Sequence, residues 1–284
     1  MAGALMSVVT LLLAGCASVA GGGGAGGGAI LESLDDASGL PGVEAVRDHG
    51  IELNVDIAAD ATDAEVLDIG AAVNAAATRE GRDGRIILSR AGETGTVDAG
   101  TADKPTFAPW SVDVLPAEPE EVERRLTGAL EVEALGLGTN VSVSSHWPSV
   151  TVDPGTDVAA AFASIASTDL FAAGGTYSSG SGEHLMIVHV PERTTVEAVQ
   201  TIIGITADYP SAEFLLQATE EGPQWPQLLV AGLDAQQGAA LDARLRQPDL
   251  ADADPEGFAQ QFQLTVTGPD GQTFIAGTLG DVPR

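Results

Sequence analysis

The four histidines of this chain are the first residues that could do chemistry, because a neutral imidazole binds transition metals and moves protons near neutral pH. They are His49, His146, His184 and His189. His184 and His189 lie five residues apart in an apolar, strand-like run, and this odd spacing directs their side chains to opposite faces. The two residues therefore cannot chelate one ion together. The sequence also has no H-E-x-x-H motif, so we predict no metal site.

The serines of YSSGSG, residues 177–182, are the candidate nucleophiles. Ser178, Ser179 and Ser181 have no base at a defined position beside them, and a serine hydroxyl needs such a base to become nucleophilic. The sequence contains neither G-x-S-x-G nor G-x-x-x-x-G-K-[ST]. We therefore predict a flexible loop at this stretch, no catalytic residue, and no nucleotide or other cofactor.

The acidic stretch DADPEG, residues 252–257, matches the first part of an EF-hand calcium loop. Its oxygen-bearing side chains occupy the first, third and fifth places of the loop, and a glycine occupies the sixth. The match then fails, because Pro255 stiffens the fourth place and Gln263 stands where the bidentate glutamate belongs. We expect a solvated loop here.

Cys16 is the only cysteine, so the chain cannot form an internal disulfide. An apolar run at residues 4–14 precedes it, and a glycine-rich stretch at residues 20–29 follows it. Eleven helical residues reach only about 16 Å, well short of the ~30 Å hydrocarbon core of a bilayer. A short apolar run followed by small residues is typical of a secretory signal peptide.

The stretch Leu13-Ala14-Gly15-Cys16 resembles the lipobox of bacterial lipoprotein signal peptides. The resemblance implies that residues 1–15 are removed as a signal peptide and that the Cys16 sulfur carries a diacylglyceryl group with palmitate-type chains. It also implies a lipid-anchored protein on the extracytoplasmic face of the cell membrane. One departure from the family is that no Lys or Arg precedes Arg47, so a basic start is missing. The alternative is an ordinary signal peptide, or a buried apolar N-terminus, with an incidental cysteine.

The net charge of −29 excludes one large class of partners. It comes from 41 Asp and Glu against 12 Lys and Arg. Nucleic acids and anionic lipid headgroups are bound by clustered cations, which are scarce here, so we predict no nucleic-acid partner. An acidic surface of this kind keeps a protein dispersed, and weak binding of divalent cations is the alternative interpretation.

Helix-start signals recur along the chain and predict the elements that must position any site. Thr62 with Glu65, Thr194 with Glu197 and Asp234 with Gln237 form capping-box patterns, Thr156 is a further N-cap, and Pro119 follows Glu118 at a first helical position. The starts near 62, 118, 156, 194 and 234 are spaced by 56, 38, 38 and 40 residues, which indicates a repeat with an inserted loop at residues 91–108.

Apolar alternation predicts the strands around these helices. In IELNVDI, residues 51–57, the apolar residues form one face, while Glu52, Asn54 and Asp56 form the other. The predicted fold class is α+β, with repeated split βαβ units of the ferredoxin-like kind, mostly antiparallel sheets and helices on one face. We expect the three tryptophans, which recur at the repeat register, to pack between sheet and helices.

The domain organisation follows from this repeat. Residues 16–29 form a lipidated cysteine and a glycine-rich tether, residues 30–146 a first pseudo-domain and residues 147–284 a second. The mature part resembles acidic secreted lipoproteins of unknown function.

Two classes of function remain open. The first is a non-catalytic binding or scaffolding module that is anchored to the membrane through lipid on Cys16 and holds a protein partner of the cell envelope on an exposed sheet face or edge. The second is a cell-envelope hydrolase whose site residues are scattered along the sequence. The repeated small unit and the missing catalytic motifs favour the first class, so we predict that the protein is not an enzyme.

Overall fold

The structure is a computed structural model, and it describes residues 32–90, 108–115, 117–137, 140–144, 147–153, 155–179, 184–217, 228–253 and 261–281. The five α-helices of this part are α1 (Asp63–Glu80), α2 (Pro119–Ala134), α3 (Val158–Ala166), α4 (Val196–Thr206) and α5 (Ala235–Leu245). Short 3-10 helices span Leu34–Gly39, Asp169–Phe171, Pro248–Ala253 and Leu279–Asp281.

Twelve strands make one sheet whose strand order follows the chain order. They are β1 (Val43–Asp48), β2 (Glu52–Ile57), β3 (Arg85–Arg90), β4 (Trp110–Asp113), β5 (Asn140–Val143), β6 (Pro148–Val152), β7 (Gly175–Ser179), β8 (Leu185–His189), β9 (Glu213–Gln217), β10 (Leu228–Asp234), β11 (Gln261–Gly268) and β12 (Gly271–Thr278). The sheet runs without interruption from β5 to β6, between which the two predicted pseudo-domains would meet.

All five helices begin within two residues of the predicted positions. Thr62 and Asp234 each accept a hydrogen bond from the third residue of their helix, whose side chain reaches back to the cap, so two of the three predicted capping boxes are confirmed, and the one at Thr194 and Glu197 is wrong. Pro119 is the first residue of α2, as predicted. The other two caps were assigned one residue too early, because Asp157 and Thr195 accept the capping hydrogen bonds of α3 and α4.

The α+β class is confirmed, whereas the split ferredoxin-like unit is not. Each helix connects two parallel strands that are direct neighbours in the sheet, as β2 and β3 are around α1. In a split unit a third strand would lie between them. The described sheet has six antiparallel and five parallel pairs, so it is mixed and only marginally antiparallel.

One face of the sheet carries the core. In β2 the buried residues Leu53, Val55 and Ile57 alternate with partly exposed ones, as the sequence predicts. Their register partners are buried too, and the same match continues across the sheet as far as β11, for example from Val141 in β5 to Val150 in β6. The buried side chains of the five helices join these strands in one hydrophobic cluster. The helices therefore lie on a single face, as predicted.

Successive helical crossovers must turn in opposite senses. The sheet advances in one direction from β1 to β12, while the strand direction reverses after every parallel pair. All the helices lie on one face, and each crossover steps the same way across the sheet. Reversing the direction of the two parallel strands therefore reverses the handedness of the crossover that connects them. At least two of the five are therefore left-handed, against the strong preference for right-handed βαβ units.

The space around two helical glycines shows how closely α5 approaches the sheet. A Cβ at Gly238 in α5 would lie 2.4 Å from Val266 Cγ2 in β11, whereas a Cβ at Gly204 in α4 would meet nothing within 4 Å. Val266 is buried and stiff at χ1, so it cannot move aside cheaply.

We expect Gly238→Ala to lower the free energy of unfolding by about 1 kcal/mol, because overpacking outweighs the gain in helix propensity. The control Gly204→Ala should raise it by about 0.5–1 kcal/mol, since only propensity changes there. Urea denaturation of the two variants measures both values, and equal shifts would contradict the close approach of α5 to β11.

Candidate binding face

The side of the sheet opposite the helices is the main candidate site in the described part of the chain. We call it the open face, and it consists of the strand side chains that alternate with the buried ones. No described helix covers it. Glu52, Asn54 and Asp56 lie on this face at β2, as predicted, and each is partly exposed.

Small hydroxyl side chains cross the open face in register from β3 to β7. One row contains, in strand order, Ser89, Ser111, Ser142, Ser149 and Thr176. A second row contains Asn140, Thr151 and Ser178, in which Thr151 Oγ1 and Ser178 Oγ lie 3.0 Å apart in a hydrogen bond. Neighbouring strands are about 4.8 Å apart, so the hydroxyls form a regular, neutral, hydrogen-bonding strip.

The second row changes character after β7. It continues through Met186, Leu215 and Leu229 on β8, β9 and β10, and then through Gln263 and Ala276 on β11 and β12. Met186 is 40% exposed, while Leu215 and Leu229 are partly exposed. The open face therefore has a neutral hydroxyl region next to an apolar region.

Charges on the open face are concentrated at the β1–β4 end and are paired there. Arg47 contacts Asp56 at 2.5 Å, and Arg85 contacts Asp113 at 3.0 Å and Glu52 at 3.6 Å. By contrast, the strands from β5 to β12 contain only two carboxylates. These are Glu213, the first residue of β9, and Asp234, the last residue of β10, which caps α5. A large neutral area on a chain of net charge −29 is the most unusual property of this face.

A small cavity of about 200 Å³ lies at the margin of the sheet, beside the start of α2. Glu121, Arg124, Ser144, Trp147 and Asp169 are among the residues that line it. The Arg124 guanidinium donates two 2.8 Å hydrogen bonds to Glu121 and lowers the pKa of this carboxyl to about 2. Such an acid stays ionised at neutral pH and is a poor general base, because efficient proton transfer needs a pKa near the working pH.

The two tryptophans in the described residues have different roles. Trp110 is fully buried against α2, where its Nε1 donates a 2.9 Å hydrogen bond to Glu133, which confirms the predicted packing. Trp147 is partly exposed, and its Nε1 donates to Thr176 Oγ1 at 2.9 Å on the open face. Trp147 thus lies at the margin of the sheet, where it contacts Thr176 of the open face and lines the cavity beside α2, while Trp225 lies outside the described residues.

The three described histidines lie apart from one another. His49 is exposed at the end of β1, and His184 is partly buried with its Nδ1 2.6 Å from Ala212 O. His189 is 2% exposed, its Nε2 lies 2.9 Å from Thr194 O, and its Nδ1 has no hydrogen-bond partner among the described residues. His146 lies outside the described residues. Among the described residues, no group of three His, Cys, Asp or Glu side chains could hold a metal ion.

His189 belongs to a buried aromatic cluster. The Phe162 ring meets the rings of His189 and Tyr177 edge-on, at 5.2 and 4.7 Å between centroids. Within the described part of the chain, the Tyr177 hydroxyl has no hydrogen-bond partner. Burial lowers the pKa of His189 and raises the pKa of the Tyr177 phenol, because a low-dielectric interior disfavours both charged forms. Both groups are therefore neutral in the folded state.

The serine stretch at residues 177–182 and the acidic stretch at residues 252–257 lie only partly within the described residues. Ser178 and Ser179 lie in β7, so the loop predicted there is wrong for these two residues, and Ser181 lies outside the described residues. Residues 252 and 253 end the third 3-10 helix, so the predicted loop is wrong for these two, and residues 254–257 of the acidic stretch lie outside the described residues. Cys16 and most of the inserted loop are also outside the described residues.

Comparisons with family models, curated proteins and solved structures found no match to this chain. In the described part, none of the helices combines the length and the apolar character that crossing a bilayer requires.

The cluster around His189 generates a prediction of pH dependence. Because the folded-state pKa is lowered, the unfolded chain binds more protons below its ordinary pKa near 6.5. The stabilising contribution of neutral His189 is therefore complete above about pH 6.5 and is lost as the pH falls below it. We expect His189→Gln, which keeps a donor for Thr194 O, to flatten the fall in unfolding free energy between about pH 6.5 and 5. Urea unfolding at several pH values measures this slope, and an unchanged slope would contradict the assignment.

A second prediction concerns Arg90, which is 8% exposed and crosses from β3 to the helix layer. It contacts Glu133 at 3.2 Å, donates to the carbonyls of Ala59 and Ala61, and lies over the Trp110 ring. We expect Arg90→Met to cost about 2 kcal/mol or more in unfolding free energy, because the Ala59 and Ala61 carbonyls lose their donor and Glu133, which still accepts from Trp110, loses its cationic partner.

The matched control for Arg90 is Arg47→Met, at the exposed pair with Asp56. This change should cost less than about 1 kcal/mol, since exposed ion pairs contribute little. A similar loss in both variants, measured by thermal or urea unfolding, would show that the Arg90 contacts contribute no more than a surface pair.

Proposed function

We propose that this protein is a lipid-anchored, non-catalytic binding or scaffolding module on the extracytoplasmic face of the cell membrane, and that its open sheet face is the contact surface. The observation that carries the proposal is the neutral area of this face on a chain of net charge −29. Charged side chains are depleted at the centres of protein interfaces, because their desolvation is costly.

The geometry of the open face supports binding rather than catalysis. The hydroxyl strip and the apolar residues are spread over neighbouring strands, where they offer many weak contacts to a broad partner. In the cavity of about 200 Å³ beside α2, the carboxylate Glu121 is held by Arg124. A larger concavity of about 470 Å³, beside the β1–β2 turn, is lined by Glu52, Asp83 and two arginines but by neither a histidine nor a serine. A rigid sheet of this kind presents its contact groups in a fixed register, which lowers the entropic cost of binding.

The residues around Cys16 support the anchor. Two or more acyl chains hold a protein firmly on a bilayer at about 0.8 kcal/mol per buried CH₂, whereas one chain gives only reversible binding. The glycine-rich residues 20–29 suit a flexible tether with a root-mean-square reach of roughly 20 Å. The acidic chain would be repelled by anionic headgroups, so the lipid is its means of attachment.

The anchor is tested by Cys16→Ser, with Ser18→Ala as a control of similar size just outside the lipobox. We expect the unchanged chain and the control to sit in the membrane fraction, without their first fifteen residues and with the added mass of a lipid. The Cys16→Ser chain should lack the lipid mass and be either released or left unprocessed. Intact-mass measurement and cell fractionation decide between these outcomes. Identical masses and fractionation for all three chains would refute the anchor.

A further inference from the structure

The neutral area of the open face has the layout of a protein interface. We call the open-face side chains of β6–β12 the neutral face. Its centre is apolar, with Met186, Leu215 and Leu229 on three adjacent strands. Hydroxyl groups border this centre on the β6 and β7 side, and glutamines border it on the β11 side. On the edge strand β12, Phe274 adds an apolar group that is 66% exposed on the same face. Apolar groups with neutral polar neighbours and few charges are typical of a face that another protein covers.

The neutral face is also complementary to itself. Within β6–β12, β9 is the middle strand, so a two-fold axis along β9 places each of these strands opposite its counterpart at the same distance on the other side, while the neutral strand β5 lies beyond the contact. Leu215 then meets the same residue of a second copy, and Met186 meets the second copy's Leu229. In the next strands, the Ser178 hydroxyl faces the second copy's Gln263 amide. Apolar groups therefore meet apolar groups and hydroxyls meet amides at the centre of the contact. Glu213, two residues from Leu215 on the same face of β9, then faces the same carboxylate of the second copy, at the exposed first residue of the strand.

The size of the neutral face fits such a contact. Seven strands at about 4.8 Å spacing and five residues at about 3.3 Å rise give a footprint of roughly 550 Å². Side-chain relief makes the accessible area larger than the footprint, and stable interfaces bury about 600–1,000 Å² on each partner. Two sheets also pack face to face readily, at a separation of about 10 Å.

Charge distribution favours a second copy over a cationic partner. A basic partner would be attracted to carboxylates, yet in the strands of the neutral face these are confined to Glu213 and Asp234 at strand ends. Two chains of charge −29 repel each other, and the repulsion is weakest where the facing surfaces carry few charges. The neutral face is therefore the surface through which two copies approach at the lowest electrostatic cost.

We propose that the neutral face joins two copies of this chain, packed sheet on sheet about a two-fold axis along β9. This inference rests on the proposed function of the open face as a contact surface, and it names the partner.

The first test is sedimentation equilibrium of the full chain in a density-matched detergent. The unchanged chain should associate to twice its mass, and moderate salt should strengthen the association, because screening weakens the repulsion between the two acidic molecules. Leu229→Glu should raise the dissociation constant by more than about tenfold, since it buries an unpaired charge. The control Ile51→Glu adds the same charge at an 84% exposed residue in the β1–β2 turn and should leave the constant unchanged.

Urea unfolding shows whether Leu229→Glu acts on association or on folding. The urea midpoints of Leu229→Glu and of the unchanged chain should agree within the effect of a surface substitution, because Leu229 lies outside the core. A monomer at every concentration, or equal association of the two variants, would overturn the inference.

The second test replaces Met186 with the photo-crosslinker p-benzoylphenylalanine in intact cells. An adduct of exactly two chains supports the inference. An adduct with another protein or with a polysaccharide overturns the second copy as partner while supporting the proposed contact surface. An adduct within one chain, or no adduct in cells, overturns both proposals, because the face would then be covered by its own chain or left uncovered.

Discussion

Burial of a single face across the whole sheet is the constraint from which the rest of this structure follows. The buried residues of the strands stay in register from β2 to β11, so one continuous apolar surface must be covered. All five helices are needed on that side to cover it. The opposite face is then left to solvent or to a partner, and its composition becomes a question of function rather than of folding.

Local signals made the individual elements predictable. Thr62 and Asp234 cap their helices because their side chains satisfy free amide groups of the first turn, an interaction encoded within four residues. The alternation in β2 likewise determines which residues are buried. β7 was missed because Gly175, Ser178 and Ser179 have low strand propensity, and only pairing with β6 and β8 makes this segment a strand. β1 and β4 were missed as well.

Strand order and the open face could not be derived in the same way. A split βαβ unit keeps every crossover right-handed with all helices on one face, so general rules favour it. The structure instead pairs β2 directly with β3 and β4 directly with β5, which requires crossovers of both hands. The hydroxyl row is invisible in sequence because Ser111, Ser142 and Thr176 are far apart in the chain and meet only through strand pairing. The neutral face is likewise a property of the assembled sheet.

Hydroxyl-radical footprinting tests most directly the claim that the sheet has one covered face and one open face that another molecule can cover. In dilute solution the account predicts rapid oxidation of Met186 and Phe274, which is 66% exposed, and slow oxidation of buried Phe162. At high protein concentration Met186 should become protected, whereas Leu135, exposed on the helix side, should not. Slow oxidation of Met186 and Phe274 in the dilute monomer would contradict the open face, and unchanged oxidation of Met186 at high concentration would contradict its role as a contact between copies.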